Sequence, residues 1–121
     1  MKRLMQFMYF VTLFALASSV ASAHMQVTKT APEDGATLAK APESVQVWFS
    51  QEPKGEVSKM TMTGPNGEVE LFVHPGGDKS LMGMVQGKNL GDGAYVVTWE
   101  SAGDDGALQN GEYEFTVKSS D

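Results

Sequence analysis

Hydrophobic and polar residues alternate in short runs along most of the chain. The clearest run is Ser44 to Ser50, S-V-Q-V-W-F-S, which puts Val45, Val47 and Phe49 on one face and Gln46 and Trp48 on the other. Comparable runs span Gln26–Thr30, Glu56–Thr63 (Val57 with Met60 and Met62), Glu68–Val73, Ser80–Val85, Ala94–Glu100 and Glu112–Lys118. Turn chemistry separates them: Ala31-Pro32-Glu33-Asp34-Gly35, Gln51-Glu52-Pro53-Lys54-Gly55, the hairpin-type Gly64-Pro65-Asn66-Gly67, His74-Pro75-Gly76-Gly77-Asp78 and Gly91-Asp92-Gly93. About seven short strands, broken roughly every ten residues and without an amphipathic helix, predict an all-β, Ig-like antiparallel β-sandwich with Greek-key connections. Tyr95 follows a glycine turn at the start of a strand. It reads equally as a tyrosine corner, its hydroxyl bonded back to the connecting loop, and as a half-buried strand tyrosine.

The first residues follow a different pattern. Lys2 and Arg3 precede an apolar stretch from Leu4 to Val20, which closes on Ala21-Ser22-Ala23, the small-x-small pattern that signal peptidase accepts. Gln6, Thr12, Ser18 and Ser19 interrupt the stretch, and it is short for a spanning helix. Residues 1–23 are therefore expected to be a cleaved signal peptide, and residues 24–121 the working domain. Processing removes two positive charges from a chain whose formal charge is already -6. An acidic domain without a basic run excludes nucleic acid and anionic membrane surfaces as partners. The absence of cysteine excludes disulfides, thiolate metal sites and thiol nucleophiles. The two histidines are set in no frame for a catalytic triad, and the glycines are spread through turns, so nothing here argues for an enzyme.

Cleavage after Ala23 makes His24 the first residue. A free N-terminal histidine offers two nitrogens from one residue, the α-amine and imidazole Nδ1, which close a six-membered chelate ring. Nitrogen donors with carboxylate oxygen suit Cu(II). The methionines are a second clue, since thioether sulfur is soft and selects Cu(I). Met60 with Met62, and Met82 with Met84, sit at period two, so each pair shares a strand face. Core packing is the simpler account of Met60 and Met62. For Met82 and Met84, which flank Gly83, packing and ligation are evenly matched. His74 is expected in a loop at a strand end, either solvated or a ligand. Asp104 and Asp105 read as turn residues between the last two strands.

Taken together, these segments resemble the CopC family of periplasmic copper-resistance proteins. Thr30-Ala31-Pro32-Glu33-Asp34-Gly35-Ala36 is similar to the family's early S-x-P-A-x-G turn, and Ser44–Ser50 to its x-V-x-L-x-F-S strand. Leu90-Gly91-Asp92-Gly93-Ala94-Tyr95-Val96-Val97-Thr98-Trp99 resembles its L-x-x-G-x-Y-x-V-x-W block, and Gly111 with Phe115-Thr116-Val117 its closing G-x-x-x-F-x-V. The resemblance implies an Ig-like sandwich and a Cu(II) site built from the N-terminal His with an Asp and a second His before the last strand. Counted back from Gly111, Asp105 falls on the family Asp and Ala107 on the family His. The second imidazole is missing.

The resulting expectation is a monomeric periplasmic copper-binding protein that carries or sequesters copper without turnover. Its metal residues would be His24, Asp105 and His74, the one other imidazole in the chain. Met25 or Met84 would supply sulfur towards Cu(I). A copper transporter or another periplasmic copper protein is the expected partner. The alternatives are a metal-free Ig-like envelope interaction module with a degenerate copper site and, more distantly, a histidine-brace oxidase.

Overall fold

A computed structural model of the chain describes residues 24–88 and 90–119. The expected signal peptide, residues 1–23, lies outside the described residues. The strands are β1 (Val27–Ala31), β2 (Ala36–Leu38), β3 (Ser44–Phe49), β4 (Lys59–Gly64), β5 (Gly67–Val69), β6 (Leu71–Gly77), β7 (Ser80–Val85), β8 (Gly93–Ala102) and β9 (Leu108–Val117). They form two sheets, ordered β1-β3-β7-β6 and β2-β9-β8-β4-β5. All pairings are antiparallel except β2 with β9, which is parallel.

Alternation decides what faces inward. In β3, Val45, Val47 and Phe49 are buried while their neighbours are only partly covered. The opposing sheet contributes Met60 and Met62 from β4, Tyr95, Val97 and Trp99 from β8, and Tyr113, Phe115 and Val117 from β9. Phe49 meets Trp99 edge-on, with centroids 4.9 Å apart, and Tyr95 stacks on Phe115. The Tyr113 hydroxyl crosses between the sheets to the carbonyls of Ala31 and Gln46, at 3.3 and 3.2 Å. Burial pushes its pKa well above the ordinary tyrosine value, so it remains a neutral donor.

Four sequence expectations change. Residues 36–38 add a short parallel edge strand that three residues could not announce. Gly55–Val57 is a single 3-10 turn with Val57 exposed, so the strand carrying Met60 and Met62 begins only at Lys59. The run Glu68–Val73 is two strands rather than one: β5 pairs with β4, and β6, two residues on from Val69, pairs with β7 in the other sheet. His74 is not in a loop. β6 continues through Pro75 and Gly76, with a register irregularity between Pro75 and Gly77. Pro is tolerated there because β6 is an edge strand, where a missing N–H breaks no ladder.

Tyr95 is a tyrosine corner: its hydroxyl donates to the Gly91 carbonyl at 2.6 Å, and its ring is fully buried. Tyr95→Phe should keep the stacking on Phe115 and lose this bond. The expected cost is about 1 kcal/mol, read as a lower midpoint in thermal or urea denaturation.

Candidate functional site

The N-terminal segment is held by one buried side chain and a reciprocal pair of bonds. Met25 enters the core at 5% exposure. The Gln26 N–H donates to Ser50 Oγ at 2.9 Å, and the Ser50 N–H returns to the Gln26 carbonyl at 2.8 Å. Met25 is buried, while His24 beside it is exposed. Gln26 Nε2 reaches the His24 carbonyl at 3.4 Å.

The β8–β9 connection supplies the opposing group. Gly103-Asp104-Asp105-Gly106 is a turn closed by the Gly106 N–H on the Gly103 carbonyl at 3.0 Å, and Gly106 takes the left-handed conformation at φ +73°. Asp105 Oδ1 accepts the Ala107 N–H at 3.1 Å, which orients the carboxylate. Gln51, from the loop after β3, accepts the Asp104 N–H on its Oε1 at 2.8 Å and clamps the turn against the N-terminal segment. Gly103 is required in this contact. A Cβ there would overlap Gln51 Oε1 and come within 3.1 Å of the Met25 Cβ.

These supports bring His24 Nδ1 to 3.2 Å from Asp105 Oδ2, with the side chains 60% and 43% exposed. The spacing suits shared coordination. Metal–nitrogen and metal–oxygen bonds of about 2.0–2.2 Å put adjacent ligands about 3.0 Å apart in a square plane and about 3.4 Å apart in a tetrahedron. Ala107, where the family pattern has its second His, follows directly on this turn and is exposed. Among the described residues, no three His, Cys, Asp or Glu side chains gather into one group.

His74 is not brought to this pair. It sits on β6, at the opposite edge of its sheet from β1, paired in register with Met82. Its Nδ1 lies 2.8 Å from the Pro75 carbonyl, and its ring lies 5.6 Å from that of Phe72. The methionines divide by face. Met25, Met60 and Met62 are in the core, whereas Met82 is half-buried and Met84 exposed. Sequence reasoning missed Gln51, since nothing local pairs it with a turn more than fifty residues on. It also missed Gly103 as a contact glycine rather than an ordinary turn residue.

The fold and this surface pair define an Ig-like sandwich with a carboxylate–imidazole cluster at one end. The CopC domain model matches residues 27–118, and the chain belongs to the CopC family. It is 34% identical over 107 residues to copper resistance protein C of Escherichia coli, covering 81% of this chain and 84% of that one. The crystal structure of PcoC, a methionine-rich copper resistance protein from Escherichia coli, superposes with a TM-score of 0.70 at 30% identity, covering 79% of this chain and all of that one. CopC from Methylosinus trichosporium OB3b shares the fold, with a TM-score of 0.68 at 22% identity over 81% of this chain and 97% of that one. Membership ties the chain to copper-related function.

Gly103→Ala should displace the Gln51 carboxamide and loosen the turn. An overpacking cost of about 1–3 kcal/mol is expected, measured by thermal denaturation, with faster amide exchange at Asp104.

Proposed function

We propose that the chain is a periplasmic copper carrier that holds Cu(II) through the processed N-terminus. His24 supplies its α-amine and Nδ1, and Asp105 an anionic oxygen. The observation that carries this reading is the approach of Nδ1, the nitrogen able to chelate together with the amine, to the Asp105 carboxylate at 3.2 Å. A charged oxygen opposite two neutral nitrogens fits the borderline hardness of Cu(II). With Ala107 in place of the second imidazole, solvent takes the remaining positions. The exposure of both residues keeps those positions open to an incoming ligand. An open site of this kind suits a carrier that gives copper up to a transporter or another periplasmic copper protein. The domain's net negative charge modestly raises the local concentration of cations.

The second reading is a metal-free envelope interaction module, favoured by the lack of a third clustered donor among the described residues. A Cu(II) titration of protein beginning at His24, beside a form with one extra N-terminal Gly, separates the two. The carrier reading expects one Cu(II) per processed chain and a large loss of affinity in the extended form, whose amine is displaced from the chelate ring. Weak and equal binding by both forms would favour the module. Ala107→His should restore the missing imidazole and tighten Cu(II) binding roughly tenfold or more, measured by the same titration.

A further inference from the structure

The side of the sandwich between β1 and β9 carries an unfinished sheet edge. β2 covers β9 only at Phe115–Val117. Just before that stretch, the Glu114 N–H donates to Asp34 Oδ1 at 3.0 Å and the Glu114 carbonyl accepts the Gly35 N–H at 2.7 Å. Both Glu114 groups therefore point away from β8. The unbroken β8–β9 register repeats that direction at Glu112 and Asn110. Their N–H and C=O groups meet no strand among the described residues. β1, the edge that faces them, is paired only with β3.

A groove of about 330 Å³ lies between these edges, lined by Val27 and Thr28 of β1, Gly111 and Glu112 of β9, and Trp99 of β8. Trp99 stands opposite Gly111 in register, and the glycine lets the indole lie across β9. A Cβ at Gly111 would come within 2.7 Å of Trp99 Cζ2 and 3.0 Å of Nε1. Trp99 is only 7% exposed, yet its Nε1–H has no acceptor among the described residues. A buried indole ordinarily finds one. No sealed polar side-chain atom among the described residues lacks a partner, so this donor opens on the groove, where the backbone of an added strand would bring carbonyls.

Charge selects what can enter. Asn110, Glu112 and Glu114 are exposed on the outer face of the open edge, and Asp34 also lines the groove. Lys29 lines it too, but its Nζ lies 4.4 Å from the centroid of the Trp48 ring on the outer face of the other sheet. A second copy would bring its own Glu112, Glu114 and Asp34 to the same edge, like charge against like.

We infer that the open edge of β9 takes an extended segment of a partner protein by strand addition, with Lys or Arg on its outward positions and apolar side chains turned into the groove. Backbone bonds at Asn110 and Glu112 and the Trp99 Nε1–H hold the segment, and the carboxylates choose its charge. β1 and β9 begin just after His24 and Asp105, so the groove leads towards that pair. That the docked partner receives copper rests on the carrier reading above; the docking itself does not.

Titration of the metal-free processed chain with the peptide Lys-Val-Lys-Val-Lys-Val-Lys, followed by amide and indole NMR, tests the inference independently of copper. One peptide is expected to bind per chain, shifting the Trp99 indole N–H and slowing exchange of the Asn110 and Glu112 amides. The counterpart with Glu in place of Lys should not bind. Asn110→Pro removes one edge donor, keeps every charge and spares the β8 ladder, and should weaken binding about tenfold. Glu112→Lys combined with Glu114→Lys should reverse the preference between the two peptides. Thermal denaturation checks that both variants stay folded. No binding of the Lys-Val peptide, shifts centred on another edge, or affinity unaltered in a folded Asn110→Pro variant overturns the inference. So does self-association of the free chain through β9, read by sedimentation and by protection of the same amides. Peptide binding in a chain that fails to hold Cu(II) would sink the carrier reading and leave the docking edge standing.

Discussion

The two-residue pleat of opposed sheets decides which side chains the inner strands present to solvent. Once Val45, Val47 and Phe49 are buried against Tyr95, Val97 and Trp99, the intervening residues have no choice of side. The same parity turns Met82, Met84, Phe72 and His74 outward together from two adjacent strands. At the N-terminus, outside the strands, Met25 is in the core and His24 is exposed. A one-residue slip in β7 would bury both outer methionines and expose Leu81.

The proposed N-terminal site depends on a second constraint, the docking of the four-residue turn Gly103-Asp104-Asp105-Gly106. Asp105 is oriented by the Ala107 N–H, and the turn itself by Gln51, which belongs to neither strand of the hairpin. The close approach of Gln51 and Met25 to Gly103 means that the N-terminal segment, the β3–β4 loop and the β8–β9 turn share one contact. Positioning is therefore borne by backbone bonds and packing beneath the site, while the groups that would meet copper remain exposed. A rigid base under open donors is the arrangement the proposed carrier would need, because exchange requires access and selectivity requires fixed donors.

Much of this was legible in the sequence, for physical reasons that differ by element. The strand at Ser44–Phe49 alternates without interruption, so its extent and inward face followed from periodicity alone. Tyr95 stood beside a glycine turn, and the turn made its corner role one of two readings. Asp105 is singled out by counting back from Gly111, and the fold sets its carboxylate 3.2 Å from His24 Nδ1. His74 was misplaced because Pro75-Gly76-Gly77 carries turn chemistry, yet an edge strand accommodates a proline and a bulge that an inner strand would not. Glu68–Val73 reads as one alternating run, and only tertiary packing shows that the chain changes sheets after Val69. Gln51 carried no signal at all, since its partner is distant in sequence and ordinary in type.

The Cu(II) EPR spectrum of the processed chain, with histidine nitrogen isotopically substituted, tests the central claim most directly. The account predicts a tetragonal signal whose nitrogen couplings include both the α-amine and the imidazole of His24, unchanged when His74 is replaced by alanine. A spectrum without amine coupling, or one that disappears with His74, would contradict it.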